Sequence, residues 1–361
     1  MTQSILISTG GSGGHVIPAT IFYEHLKDQF NVSMSIDNRG MKFLDKNKYN
    51  LEIFNINPIS KKIFLLPFQF FLITYLIIKS ILFLKKRRID ILISTGGYMS
   101  LPLCIASKIL NIKLFLFEPN MVLGRANKFF IRSCEKIFCY SDGIKNFPDK
   151  HVSKINVIPS LLRKEFYDIK KADGVNVNIN LLVIGGSQGA KIFDTLIKNS
   201  IIKLSKKYIL KIYQQTNLVN FEELKKFYKD NNIDHELFDF NENVSNFMSR
   251  SNICLTRAGA STLAELVFLN LPCVAIPLPT SKDNHQFENA FFYNKIGCNW
   301  ILNQNEINDD TIVNKLVHII DNKDEYLDKK KNMKNFSYQN TWNNINQKII
   351  SVINENRISK N

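Results

Sequence analysis

The sequence lacks most of the devices by which a chain of 361 residues declares a function. Its six cysteines, Cys104, Cys134, Cys139, Cys254, Cys273 and Cys298, form no CxxC pair, and most stand inside apolar runs such as Ile253-Cys254-Leu255. That pattern excludes a disulfide framework or a zinc ribbon and reads as buried thiols in a reducing compartment. No basic, apolar and small-residue leader opens the chain, so the expected location is the cytoplasm. No Asp-x-Asp occurs, which argues against a diphosphate clamped by metal through that motif, and no metal or other cofactor is expected. Neither does Gly-Lys-Ser/Thr follow any glycine-rich turn, so there is no Walker loop. The formal net charge of +15 suits an anionic partner, but the excess lysines are scattered among Asn and Ile rather than gathered in a patch. With no basic helix interleaved with aromatics, nucleic acid is not an expected partner.

What is present is a repeated grammar. The length suits two domains, and 45% hydrophobic residues can furnish a core for each. Three short apolar strands end in glycine pairs: residues 4–9 before Gly10-Gly11, 91–95 before Gly96-Gly97, and 181–184 before Gly185-Gly186. The first two share the heptamer ILISTGG, at 5–11 and 91–97. Continuous apolar runs of this length suit parallel strands covered on both faces, and each turn is followed by a helical pattern, at 15–30, 100–110 and 189–204. Strand, turn and helix in alternation is the grammar of doubly wound α/β folds. The expected organisation is an N-terminal lobe over 1–163, a polar linker over 164–180, a C-terminal lobe over 181–340, and a closing helix over 341–361 that packs back toward the first lobe. Ligands of such sheets sit at the C-terminal ends of the strands.

Residues 63–84 stand apart: 22 residues whose only charge is Lys79, flanked by Lys61-Lys62 and by Lys85-Lys86-Arg87-Arg88. Three readings are open, a bilayer span, a core helix, and an amphipathic helix offering an apolar, basic-rimmed patch to a membrane surface. Pro67, Gln69, Thr74 and Ser80 interrupt the run and a strand follows at once, which favours the surface patch, with segment 61–88 on anionic lipid.

Three segments carry chemistry. Gly10-Gly11-Ser12-Gly13-Gly14-His15 joins a strand to a helix, where bare amides and the helix dipole attract an anion. It fits neither the Walker loop nor GxGxxG, because the last required glycine falls on Val16. His15, at the helix start, is either a general base kept neutral by the dipole or a histidine that only bonds nearby backbone. Gly185-Gly186-Ser187-Gln188-Gly189-Ala190 repeats the turn, with the Ser187 hydroxyl able to reach a phosphate. The segment 256–265 runs strand, glycine turn, helix. It ends at Glu265, which is either a two-oxygen acceptor for ribose hydroxyls or a solvated helix residue. Beyond it, Asp283-Asn284-His285-Gln286 is a polar cluster suited to sugar hydroxyls.

Together these segments resemble the MurG family of UDP-N-acetylglucosamine transferases. The resemblance spans nearly the whole chain, through GGSGGHVIPA at 10–19, STGGYMSLP at 94–102, FEPN at 117–120, GGSQGA at 185–190, TRAGASTLAE at 256–265 and KDNHQFENA at 282–290. It implies a GT-B fold of two Rossmann-like lobes, UDP-GlcNAc as donor and undecaprenyl-pyrophosphoryl-MurNAc-pentapeptide (lipid I) as acceptor. The product would be lipid II, by inverting transfer at the membrane's cytoplasmic face. The donor residues it implies are Ser12, Gly13, Gly14, Asn120, Arg163, Ser187, Asn241, Ala260, Ser261, Thr262, Leu263, Ala264, Glu265 and Gln286. The acceptor pyrophosphate is implied at Gly13, Gly14, Gly96, Gly97 and Tyr98, with His15 as base and Glu118 as the second candidate. The chain departs from the family pattern at Phe117 and Pro119, at Pro159-Ser160-Leu161 before Arg163, at Asn241 facing the uracil, and at His285. An epimerase of the same fold or a non-catalytic nucleotide-sugar binder is the rival reading. The first has no use for the basic-rimmed segment, and the second has none for His15.

Overall fold

The computed structural model describes residues 2–55, 66–169, 178–186, 192–239 and 243–358. The chain forms two compact units, Met1–Leu161 with Trp342–Asn361, and Leu162–Thr341.

In the first unit seven parallel strands pair in the order β3-β2-β1-β4-β5-β6-β7. They are β1 (Ser4–Ser8), β2 (Asn31–Ile36), β3 (Leu51–Ile53), β4 (Ile91–Ser94), β5 (Lys113–Glu118), β6 (Lys136–Cys139) and β7 (Ile155–Val157). The two heptamers are therefore neighbours: β1 and β4 pair with Ile5 opposite Ile91 and Ser8 opposite Ser94. Every residue of β4 is buried, which explains its unbroken apolar sequence. Alternate residues feed two cores. Leu6, Leu92, Leu114, Leu116 and Ile137 pack on one face, with Leu84, Leu103 and Phe130. On the other, Phe22 of helix α1 (Gly13–Leu26) meets Phe117 edge-on at 5.3 Å and Phe138 at 5.6 Å. The closing helix Trp342–Ile358 belongs to this unit, where Trp342 stacks on His25 of α1 at 3.7 Å.

In the second unit six parallel strands run β10-β9-β8-β11-β12-β13. They are β8 (Asn178–Ile184), β9 (Ile209–Gln215), β10 (Asp234–Phe238), β11 (Ile253–Thr256), β12 (Cys273–Ala275) and β13 (Asn299–Ile301). Leu181, Val183, Ile253 and Leu255 join one core, while Leu182, Ile184 and Cys254 join the other, the period of two expected of a sheet covered on both faces. Both sheets have the doubly wound order, outward from the first strand in each direction. Leu162 and Phe166 are fully buried in the second unit's core, so the chain is already packed there before β8 begins. All six cysteines are buried and unpaired.

The pattern expected as one helix over 189–204 is instead Phe193–Leu196 followed by Lys198–Ser205, with residues 187–191 outside the described set. Of the segment 63–84, helix α2 (Leu66–Lys86) is described. One side is inward, with Leu76, Ser80 and Leu84 buried. The other exposes Phe71, Tyr75, Ile78 and Leu82 at 52–73%, at helical spacing, next to exposed Lys85, Lys86, Arg87 and Arg88. Among the described residues no helix is long and apolar enough to cross a membrane. Helix α2 therefore packs one side on the unit's core and leaves an apolar stripe exposed on the other.

Candidate active site

The turn after β1 is shaped from a distance. Asp37, buried at the end of β2, accepts hydrogen bonds from the backbone N–H of Gly11 (2.7 Å) and of Gly40 (3.0 Å) through one oxygen. Its other oxygen accepts from Arg39 Nε at 2.8 Å. Gly10 has φ +152°, and a Cβ there would lie 2.6 Å from Asp37 Oδ1, so only glycine fits. Ser12 adopts the extended N-cap conformation without a side-chain capping bond. The Gly13 and Gly14 amides thus head helix α1 with no intrahelical acceptor.

His15, in the first turn of α1, is half-buried and donates from Nδ1 to the Thr95 carbonyl at 2.8 Å. A carbonyl oxygen can only accept, so the proton sits on Nδ1 and the lone pair of the neutral ring on Nε2. The ring lies on the second glycine turn. A Cβ at Gly97, whose φ is +78°, would stand 3.4 Å from both Cδ2 and Nε2 of the imidazole. Gly96 and Gly97, expected to meet the acceptor's pyrophosphate, thus form the seat of His15. Tyr98 packs with Met99 against Leu72 and Leu76 of α2.

Glu118, the alternative base, ends β5 as a buried carboxylate fully engaged by donors. Its Oε1 accepts from the Asn120 N–H (3.2 Å) and Nδ2 (3.0 Å); its Oε2 accepts from the Gly124 N–H (2.7 Å) and from Asn127 Nδ2 (2.9 Å). Four donors on two oxygens describe a carboxylate that shapes the loop after β5 and sets Asn120 in place. Asn127, which also donates to the Phe117 carbonyl at 2.9 Å, belongs to no motif that would mark it in the sequence. Phe117 itself is core, in the cluster with Phe22 and Tyr140.

In the second unit the turn Arg257–Gly259 leads from β11 into helix Ala260–Phe268. Ala260, Ser261 and Thr262 are half-exposed and supply helix-start amides, whereas the side chains of Leu263 and Ala264 are in the core and only their backbone is left for a ligand. Gly186, ending the β8 turn, lies close by: a Cβ there would be 4.0 Å from Thr262 Oγ1. Glu265 is 7% exposed, and burial pushes its carboxyl up to about 7, against the pull of Arg163 and with the push of Glu165. Arg163 Nη2 stands 3.9 Å from Glu265 Oε1, and Nη1 stands 3.3 Å from Glu165. Arg257, unremarked in the sequence, is buried with its Nη1 donating to the carbonyls of Ile276 (3.0 Å) and Pro277 (3.4 Å). Its partners there are carbonyls rather than carboxylates, so it leaves positive charge at the ends of β11 and β12.

The Gln286 Oε1 accepts from the Leu278 N–H at 2.9 Å, which leaves its NH2 as the group to present to a hydroxyl. His285 donates from Nδ1 to the Lys282 carbonyl at 2.8 Å and closes a turn in which Asp283 and Asn284 have φ +53° and +57°. Asn289 ties this helix to the β11 turn by donating to the Ala258 carbonyl at 3.1 Å. Ser187 and Asn241 lie outside the described residues. Among the described residues no group of three His, Cys, Asp or Glu side chains is placed to hold a metal ion.

Two glycosyltransferase family 28 models match the chain, the N-terminal domain over residues 5–139 and the C-terminal domain over 180–345. A Pelagibacter ubique (strain HTCC1062) protein is 66% identical over 99% of this chain and 100% of its own length. The chain belongs to glycosyltransferase family 28. That family 28 relative is named UDP-N-acetylglucosamine--N-acetylmuramyl-(pentapeptide) pyrophosphoryl-undecaprenol N-acetylglucosamine transferase. A Rickettsia prowazekii (strain Madrid E) protein of the same name is 31% identical over 92% of this chain and 95% of its own. Among solved structures, Acinetobacter baumannii MurG superposes with a TM-score of 0.75 at 24% identity, covering 98% of this chain and 99% of that one. A UDP-GlcNAc 2-epimerase from Neisseria meningitidis, bound to UDP-GlcNAc, superposes at 0.66 with 14% identity, covering 98% and 100%. These likenesses, with two parallel-sheet α/β units, give this family 28 glycosyltransferase the GT-B fold.

Proposed function

We infer that this enzyme moves GlcNAc from UDP-GlcNAc to the C4 hydroxyl of MurNAc in lipid I, forming the β(1→4) link of lipid II in peptidoglycan synthesis. The observation that carries the reading is 66% identity over essentially the full length of a protein named for that transfer. The site geometry supports that reading. His15 is the base: its Nδ1–H bond to Thr95 fixes the tautomer, so Nε2 takes the proton of the attacking hydroxyl as UDP departs with inversion. Glu118 is a positioning residue that holds Asn120, because its oxygens are already engaged.

On the donor side Glu265 accepts the ribose hydroxyls with Arg163 beside it, and Gln286 offers its NH2 to the GlcNAc hydroxyls. Amides of Ala260, Ser261 and Thr262, the hydroxyl of Ser187 and the charge of Arg257 offset the charge that develops on UDP, with no metal required. Asn241 completes the donor set near the uracil. The acceptor's diphosphate lies over Gly13 and Gly14 and the turn of Gly96, Gly97 and Tyr98.

The enzyme works as a peripheral protein on the cytoplasmic face of the inner membrane. It rests there on the exposed stripe Phe71, Tyr75, Ile78 and Leu82 and on the basic end of α2, each well-placed cation adding about 1 kcal/mol on anionic lipid. The test is transfer of labelled GlcNAc from UDP-GlcNAc to a lipid I analogue. A labelled disaccharide-lipid is the expected product; UDP-GlcNAc binding without transfer would overturn the function and leave the fold intact.

A further inference from the structure

The acceptor proposed above carries a diphosphate, and the residues expected around it, glycines and one tyrosine, offer no positive charge. We propose that Arg39 supplies it, as the cation that binds the diphosphate of a lipid-linked acceptor, held in place by buried Asp37. This rests on the lipid-diphosphate reading of the first unit and adds a specificity residue to it.

Four observations place Arg39 there. It follows β2 by three residues, and its Nη2 would be 3.8 Å from a Cβ on Gly11, so the guanidinium borders the turn that heads α1. Three contacts fix the side chain. Nε donates to Asp37 Oδ2 at 2.8 Å, Nη2 lies 3.2 Å from Met99 Sδ, and Cζ stands 5.1 Å over the Tyr98 ring. It is nevertheless 46% exposed, whereas Asp37 is 3% exposed, so the arginine presents an edge to solvent while its anchor does not. Finally, a Cβ at Gly14 would meet only Ser12 Oγ, at 3.8 Å, so the surface beside the helix-start amides is open.

The ion pair does not cancel the arginine's use. Asp37 also receives the N–H groups of Gly11 and Gly40, which share its charge. A guanidinium fixed in this way has already lost most of its rotamer freedom, and its planar donors match phosphate oxygens. Asp37 therefore does two jobs from one position: it shapes the glycine turn and aims the cation at what the turn binds. Lysine would keep the charge but lose both the fork and the stacking on Tyr98.

The experiment compares wild type with Arg39→Gln and Arg39→Lys. In GlcNAc transfer the Gln variant should raise the acceptor KM about 10- to 100-fold, the range of one or two charge-assisted hydrogen bonds, with the donor KM within twofold. The Lys variant should fall between. Direct binding of a short prenyl diphosphate, measured calorimetrically with UDP present, should weaken in the same order. Its salt dependence should flatten in the Gln variant, which a merely structural arginine would not cause. An acceptor KM within twofold of wild type in Arg39→Gln, or equal loss toward donor and acceptor, overturns the proposal. If wild type transfers nothing to the lipid acceptor, the functional reading fails and the calorimetry decides for Arg39. Binding that weakens tenfold or more in Arg39→Gln sustains it, and no wild-type binding overturns it.

Discussion

Residues 5–11 and 91–97 have the same sequence and lie side by side on paired strands, yet their turns do different work. After β1 the turn is drawn toward β2 by Asp37 and runs into a helix that is open beside Gly14. After β4 the Gly96 N–H donates instead to Ser94 Oγ at 3.2 Å, and the glycines lie flat beneath the His15 ring. The first turn thus opens a helix, and the second presents a surface to a side chain of the first. Identical heptamers produce the same strand, because that is local, while the glycines after it differ, Gly10 at φ +152° and Gly96 at +90°. Their roles come from the residues next in the chain, Ser12-Gly13-Gly14-His15 in one case and Tyr98-Met99-Ser100 in the other, and from which strand lies alongside.

The turn before helix Ala260–Phe268 extends the comparison to a carboxylate rather than an imidazole, and it should give the largest effect. Glu265→Gln should weaken UDP-GlcNAc about 100-fold, from two charge-assisted bonds lost, measured by calorimetry. Because the Glu265 carboxyl stands at about 7 when the site is empty, donor affinity of the wild type should fall toward tenfold per pH unit below 7, and the Gln variant should show no such slope. The raised value also makes Glu265 a cost to folding. The unfolded carboxyl ionises near its ordinary value, so this contribution to stability is lost as pH rises from about 4.5 to 7. Glu265→Gln should therefore raise the Tm at neutral pH while removing function. An unchanged or lower Tm would refute that.

Next comes the seat of the imidazole. Gly97→Ala crowds the His15 ring at 3.4 Å and should cost kcat about tenfold, with UDP-GlcNAc affinity kept. Gly10→Ala, against Asp37 at 2.6 Å, should instead act through stability, by roughly 1–3 kcal/mol in denaturant unfolding. If both variants lost only stability, or both only kcat, the distinction between the two turns would fail.

The smallest effect at neutral pH belongs to the far end of helix α1. His25 is 3% exposed, neither ring nitrogen has a hydrogen-bond partner, and burial lowers its pKa to about 4. Protons prefer the unfolded chain here, so stability should fall as pH drops from about 6.5 to 4, by up to about 3 kcal/mol. His25→Phe should unfold like wild type at pH 7.5 and outlast it at pH 4.5. A parallel acid loss in both would place the effect elsewhere.

Much of this was legible in the sequence. Strands β4, β6 and β11 stand out because continuous apolar runs have one use in a covered parallel sheet. Strand β13, three residues of Asn-Trp-Ile, is too short to show a period. The helix Lys323–Ser337 is mostly charged and buries only Tyr326, Met333 and Ser337, so no apolar stripe marks it. The motif residues were visible as motifs, but the groups that position them were not. Asp37 meets Gly11 across 26 positions and His15 meets Thr95 across 80. Nothing local distinguishes Asp37 from other acidic residues. Glu118 does stand in a motif, but its four donors, which hold the loop after β5, are not visible there.

On the proposed reading, the second heptamer holds the base carried by the first. Single-turnover transfer of GlcNAc to a lipid I analogue by His15→Ala, with the UDP-GlcNAc Kd measured in the same preparation, tests it most directly. The account predicts a rate reduced about 10²- to 10⁴-fold at a Kd within twofold of wild type. A wild-type rate in the variant, or a loss of donor affinity equal to the loss of rate, would contradict it.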